Sequence, residues 1–402
     1  MCSDPIYFSD LQTMTQKLKI AMVAGETSGD MLGALLLEGL KKRWPQLQAM
    51  GIGGNNMVQG GLVAWWPSEK LAVRGYVEVL RHYREIVDIR RQLLERLLSD
   101  PPDVFIGIDA PDFNLELERQ LKAKGVKTVH FISPSIWAWR PERIEKIRAA
   151  CDQVLCIFPF EKPMYDEVGI AATYVGHPLA NVIPMQPNRL AARQALGLQP
   201  DDKVVAVLPG SRASEIQYIA EKLFKAVALM GNAQSAIKFI VPAIPALRSR
   251  IEAAAQKVGV LSVVQIVNGQ SHSVLAACDV TLIASGTATL EAALFKRPMV
   301  IAYRMHWLSW QLMRRKKLQP WVGLPNILCQ DFVVPEFLQE RATPEALAQA
   351  TLAWLDTSAA QLVKNAALQQ RFSALHTELQ RDTATIACHA IEEILPPNAQ
   401  LA

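Results

Sequence analysis

The sequence predicts an α/β protein of two Rossmann-like, doubly wound domains facing each other across a cleft, with a helical C-terminal tail. Three observations carry that expectation. Short apolar runs of strand length alternate with helical segments from residue 18 to about 175, the pattern of βαβ units on a parallel sheet. The alternation stops at Gly176-His177-Pro178 and the Pro-rich run 184–187, which read as a linker, and restarts at Lys203. After residue 343 helical spacing continues with no strand between, so the end reads as a helical tail. A chain of 402 residues accommodates two domains of ordinary size. The expected division is 1–184, 185–370 and a tail over 371–402, packing back on the first domain or on a partner subunit in a homodimer.

Half the residues are hydrophobic and 20% are charged, the balance of a chain with sizeable cores. The net charge of +4 is mild, and no nucleic-acid partner is expected. The six cysteines form no CxxC pair and the histidines are dispersed, so there is no zinc signature. A reduced, cytoplasmic setting follows. Residues 1–17 read as an irregular leader without the pattern of a signal peptide. No apolar stretch reaches membrane-spanning length, so a soluble or peripheral protein is expected.

In the first domain the predicted strands are 18–23, 48–52, 104–108, 128–132, 154–158 and 173–175. Helical spacing covers 31–40 and 77–98, a further helix follows Asn114 to Lys124, and Trp65 and Trp66 fall in a loop. In the second domain the predicted strands are 204–208, 239–241, 263–266, 280–284 and 299–302. The loop at 24–30 is Gly-rich but is neither GxGxxG nor a P-loop, so an ordinary dinucleotide or ATP site has no support.

Chemistry concentrates where strands end. Val204 to Leu208 run into Pro209-Gly210-Ser211-Arg212 and a helix start, where small residues and a cation allow an anion to approach the backbone. Ser285, Gly286 and Thr287 form a second strand-end turn whose N–H groups suit phosphate. Glu291, one helical turn further, can accept both hydroxyls of a ribose. With Arg212 these make a nucleoside-diphosphate site that needs no metal; the competing reading is an ordinary helix start with a solvated Glu. Asp109 ends an apolar strand and suits a general base. Asp112 competes with it, one of the two is expected to cap the helix, and Asn114 caps or orients them.

His177 reads as a packing or hinge residue. Trp137 and Trp139 read as core, or, beside Arg140, as a substrate wall. From Tyr303 to Leu318 the cations Arg304, Arg314, Arg315, Lys316 and Lys317 accompany Trp307, Leu308, Trp310, Leu312 and Met313, with no acid among them. That composition suits an anionic lipid surface, and 73–98, with its arginines and aliphatics, is a second such stretch. A core helix with a solvated basic end explains either stretch equally well.

Taken together, AGETSGD at 24–30, GIDAPDFN at 107–114, SPSIWAWR at 133–140, FPFEK at 158–162, LPGSR at 208–212, ASGTATLE at 284–291 and LPN at 324–326 resemble the lipid-A-disaccharide synthase family, in the family's order. The resemblance implies the GT-B architecture and an inverting glycosyltransferase. Its substrates would be UDP-2,3-diacylglucosamine and 2,3-diacylglucosamine 1-phosphate, and its products the β-1,6-linked lipid A disaccharide 1-phosphate and UDP. It also implies a peripheral position on the anionic inner face of the inner membrane, with no bound metal or other cofactor. Glu26, Ser28 and Asn326 are carried over as substrate-binding residues, alongside Asp112 and Asn114. A UDP-sugar 2-epimerase would share the fold and nucleotide site but leave the basic Trp-rich segment without a purpose. A non-catalytic lipid adaptor would have no need of Asp109, Arg212 and Glu291 together.

Overall fold

The computed structural model describes residues 17–25, 27–71, 76–139, 141–316 and 318–395. Two all-parallel sheets organise them. The first contains β1 (Lys19–Ala24), β2 (Gln48–Gly53), β3 (Leu62–Pro67), β4 (Val104–Ile108), β5 (Lys127–Phe131), β6 (Gln153–Cys156) and β7 (Ala172–Tyr174), in the order β3-β2-β1-β4-β5-β6-β7. The second contains β8 (Lys203–Leu208), β9 (Ile237–Ala243), β10 (Val264–Asn268), β11 (Val280–Ala284), β12 (Met299–Tyr303) and β13 (Glu336–Leu338), in the order β10-β9-β8-β11-β12-β13. Both are the doubly wound order expected from the βα alternation. The strands β4 and β11 are buried along their whole length, because helices cover both faces, and this is why they read as unbroken apolar runs.

Two strands were not legible. Trp65 and Trp66 lie in edge strand β3 rather than a loop, half-buried beside the exposed Val63. Strand β13 is three half-buried residues at the other sheet's edge, too short to show a period. The helix Tyr76–Ser99 turns Ile89, Leu93 and Leu97 into the first domain's core, and the Arg96 guanidinium stacks 3.9 Å from the Trp65 ring. One face of the later half of that basic stretch is therefore core, while Arg84 and Arg91 on it are exposed; residues 72–75, and the side chains of 76–83, lie outside the described residues.

The segment read as a linker contains a short helix, Pro178–Val182, capped by His177, whose Nδ1 accepts from the Leu179 N–H at 3.2 Å. Burial pushes the His177 imidazole down to about 3, so it is neutral and structural. The chain returns along the same place. The helix Ala359–Leu379 leads to Thr383–Glu392, which packs on Thr27–Arg43 of the first domain, with Arg43 and Glu392 paired at 2.5 Å. His177 N–H donates to the Leu379 carbonyl (2.9 Å), Tyr174 Oη to the Glu378 carbonyl (2.9 Å) and Asn181 Nδ2 to the Arg381 carbonyl (2.7 Å). Buried His376 has Nε2 2.8 Å from the Ala180 carbonyl and Nδ1 2.5 Å from Lys296 Nζ. The outgoing and returning chains are thus tied side by side.

Candidate active site

In each sheet the winding direction reverses once, between β1 and β4 and between β8 and β11. Crevices beyond the carboxyl ends of strands at such points are where open α/β sheets bind ligands. The strand-end motifs singled out above fall at these two points.

On the first-domain side, β1 and β4 run in register from Ile20↔Val104 to Ala24↔Ile108. The loops after them touch: a Cβ added at Gly25 would lie 3.0 Å from Ala110 Cβ. Ser28 is half-buried in the first turn of the helix Thr27–Arg43, beside that contact, while Glu26 lies outside the described residues. Asp30 of the same motif faces inward and accepts from the N–H groups of Gly54, Asn56 and Met57, tying down the loop after β2.

Asp109 follows β4 with φ 51, and Ala110 follows it with φ 44. Left-handed backbone costs a residue carrying Cβ roughly 1–2 kcal/mol, so two in succession must be held by their surroundings. Asp109 N–H donates to the Phe131 carbonyl at 3.0 Å, and Asn114 Nδ2 donates to the Asp109 carbonyl at 2.8 Å. Asn114 is fully buried, and its Nδ2 also faces the carbonyls of Val23 (3.3 Å) and Ile108 (3.4 Å). It therefore orients the Asp109 turn and does not reach a substrate, which corrects its assignment as a binding residue. Asp112 is exposed in the first turn of the helix Pro111–Lys122, ion-paired with Arg143. The cap position belongs to Ala110 and carries no side-chain cap bond, so neither carboxylate is the helix cap.

Behind this turn lies a buried polar cluster that the sequence did not reveal. Glu118 accepts from Cys151 Sγ at 3.4 Å and sits 2.8 Å from His130 Nδ1, all three side chains being buried. Its Oε1 packs so close to β4 that a Cβ at Gly107 would lie 2.0 Å away. Burial pushes the Cys151 thiol well up, so it stays protonated as the donor. Spacings of 12 and 21 residues match no motif; only the adjacency of a helix, a strand and a helix end assembles the group.

Trp137 is core. Its Nε1 donates to Glu161 Oε1 at 3.1 Å, and the Phe158 N–H donates to Glu161 Oε2 at 3.0 Å. Burial pushes the Glu161 carboxyl up to about 7 against those hydrogen bonds. Trp137 meets Phe160 edge-on at 5.1 Å, and Phe158 stacks on Phe160 at 5.9 Å. The Ala138 carbonyl accepts from Leu318 N–H at 2.9 Å, joining this segment to the second domain. The Trp139 side chain and Arg140 lie outside the described residues.

On the second-domain side, Gly210 has φ 118, a conformation only glycine adopts readily, and Arg212 stands extended at the N-cap of the helix Ala213–Ala233. Ser211 N–H donates to Glu215 Oε2 at 2.9 Å, and Arg212 Nη1 donates to Glu215 Oε1 at 2.5 Å. The neighbouring turn corrects one expectation. Ser285 N–H donates to the Ala302 carbonyl at 3.0 Å and Ser285 Oγ to the Val322 carbonyl at 3.3 Å, so the Ser285 amide serves the sheet and not a phosphate. Gly286 and Thr287 stand at the start of the helix Thr287–Leu294, with open space where a Gly286 Cβ would be. Glu291, mostly buried, lies 3.4 Å from His272 Nε2, and the His272 ring packs 5.3 Å from Phe295.

Asn326 does not face the cleft. It is fully buried: Oδ1 accepts from the Val333 and Val334 N–H groups (2.9 and 3.0 Å), and Nδ2 donates to the Val334 carbonyl (2.9 Å) and Glu336 Oε1 (2.8 Å). Glu336 also accepts from Val322 and Gly323, so Asn326 shapes the loop that receives Ser285 Oγ. His272 and Glu215, which meet the expected nucleotide residues, had no signal in the sequence beyond their place on neighbouring turns.

Two parallel, doubly wound sheets followed by a helical tail form the GT-B fold. Solved structures share the fold. UDP-GlcNAc 2-epimerase from Neisseria meningitidis, bound to UDP-GlcNAc, superposes with TM-score 0.63 at 10% identity, over 94% of this chain and 100% of that one. MurG of Acinetobacter baumannii superposes with TM-score 0.54 at 11% identity, over 94% and 100%. Sequence decides within the class. The lipid-A-disaccharide synthetase family profile matches residues 20–391. The lipid-A-disaccharide synthase of Albidiferax ferrireducens is 68% identical over 383 residues, covering 95% of this chain and 98% of that protein. Those of Verminephrobacter eiseniae and Thiobacillus denitrificans are 61% and 53% identical, covering 95% and 93% of this chain and 98% and 99% of theirs. The chain belongs to the lipid-A-disaccharide synthase family and is a glycosyltransferase. The epimerase alternative is thereby set aside.

Proposed function

We propose that the enzyme transfers 2,3-diacylglucosamine from its UDP derivative to the 6-hydroxyl of 2,3-diacylglucosamine 1-phosphate, with inversion. One observation carries the reading: Asp109 stands at one switch point, while Arg212, Gly286 and Glu291 gather at the other. The Asp109 carboxylate takes the acceptor hydroxyl proton as the new C1–O6 bond forms. The C1–O bond to the diphosphate breaks, and its electron pair leaves with UDP. No metal is needed on this reading, because Arg212 and the N–H groups of Gly286 and Thr287 meet the developing charge. Glu291 accepts the ribose hydroxyls, and Ser28 and Glu26 bind a substrate sugar beside Asp109. Purified enzyme given both acylated sugars should form disaccharide and UDP in equal amounts; sugar epimerisation without acceptor would overturn the reading.

The enzyme works at the inner face of the membrane on the same reading. No helix among the described residues is long and apolar enough to cross a bilayer. Yet the helix Trp307–Lys316 presents Trp307 at 61% exposure with Arg314 exposed beyond it, and Leu318 follows at 55%. Large exposed apolar groups beside cations suit an anionic interface. Replacing Trp307, Trp310 and the 314–317 cations should reduce pelleting with anionic liposomes; unchanged pelleting would return the segment to a structural role.

A further inference from the structure

Glu215 lies in the first turn of the helix Ala213–Ala233, and its carboxylate folds back over the turn that precedes it. One oxygen takes the Ser211 N–H and the other the Arg212 guanidinium. Oε2 lies 2.6 Å from where Gly210 would carry a Cβ, so the carboxylate occupies the space that glycine leaves open. A backbone N–H, a guanidinium and a helix start are the donors a phosphate oxygen would use at this turn. In this structure a carboxylate uses the first two. An acid in a first helical turn is favoured by the helix dipole alone. That, with the reach of a third-position Glu back over its helix start, brings the carboxylate onto Ser211 and Arg212, where it takes the donors a phosphate would use.

We propose that Glu215 is a positioning residue that fills the anion seat of the Gly-Ser-Arg turn when nucleotide is absent and yields it to the donor's diphosphate. The proposal rests on the donor-binding reading of Arg212. The single Ser211 N–H cannot hold two anions firmly, so a diphosphate oxygen seated there breaks the Glu215 Oε2 bond, and its charge repels the carboxylate from the guanidinium. They re-form as UDP departs. Between turnovers the carboxylate keeps Arg212 at the N-cap, and it sets a threshold that small anions in solution must overcome. Glu215 therefore lowers affinity for UDP and donor alike and assists product release.

Glu215→Gln keeps the shape and removes the charge. UDP binding to the full-length variant, measured by calorimetry, should be roughly 1.5–5-fold tighter than to wild type. Inorganic pyrophosphate binding should strengthen similarly, and the donor KM should fall in parallel. Glu215→Ala should show the same direction if the Gln variant folds poorly. Weaker or unchanged UDP binding in both would overturn the proposal, weaker binding meaning that Glu215 holds Arg212 in its working place. Arg212→Ala separates the two ideas. If it leaves UDP affinity untouched, the donor reading of the turn fails. If it weakens UDP while neither Glu215 variant tightens it, only the Glu215 proposal falls.

Discussion

The turn after β4 and the turn after β8 occupy equivalent places in their sheets, yet they are built in opposite ways. The first runs through left-handed backbone at Asp109 and Ala110, residues that pay a steric cost there, and is clamped by Asn114 and the Phe131 carbonyl. The second relaxes the backbone at Gly210 and leaves its holding to side chains, Arg212 and Glu215, that can move. A group that must meet a hydroxyl at one distance gains from a rigid, strained mount. A site that must admit and release a large anion every turnover gains from a soft one. On the proposed function, the base sits on the rigid turn and the leaving group on the soft one.

The largest effect should come from the rigid side. Asp109→Ala should lower kcat by about 10²–10⁴-fold with UDP affinity nearly intact. Near-normal initial rates would remove Asp109 from the role and dissolve the contrast. Arg212→Ala should act on binding: loss of a charged hydrogen bond, about 1.5–3 kcal/mol, predicts UDP affinity reduced about 10–100-fold in titration calorimetry. A change in kcat alone would mean that the guanidinium works only in the transition state.

A smaller effect tests how the first domain is held. The Glu161 carboxyl rises from 4.5 to about 7 in the folded protein, so the folded state binds its proton more tightly than the unfolded state. The stabilisation from this group is fully present below pH 4.5 and is lost as pH rises through 7. Relative to Glu161→Gln, the wild type should lose on the order of 3 kcal/mol between pH 4.5 and 8, followed by denaturant unfolding at several pH values. Parallel pH profiles for the two proteins would show that the carboxyl is not held this way.

Much of this was legible because strand ends are legible. Unbroken apolar runs at 104–108 and 280–284 place the turns that follow them, and Gly, Ser, Arg and Asp in those turns point to anion and proton chemistry. Direction was not legible. Asn114 and Asn326 stand in the resembling motifs, but sequence gives their residue type and not the way they point, and both turn inward to satisfy backbone groups. Ser285 shows the same limit, since whether its amide serves the sheet or a ligand depends on pairing with β12. The Glu118, His130 and Cys151 cluster depends on which elements become neighbours, and no local spacing encodes that.

The paired crossings between the domains have a consequence for degrees of freedom. A single linker would let the two halves slide, twist and separate like weights on a cord. Here the chain passes out near Tyr174–Asn181 and back near His376–Arg381, and hydrogen bonds lash the two passages together while His376 ties both to Lys296. Two adjacent pins define an axis. Shear or separation of the halves breaks several of these bonds at once, whereas rotation about that axis bears on the Ala138–Leu318 bond instead. Whatever distance separates the Asp109 turn from the Arg212 turn, sliding or parting the halves is the costly way to change it.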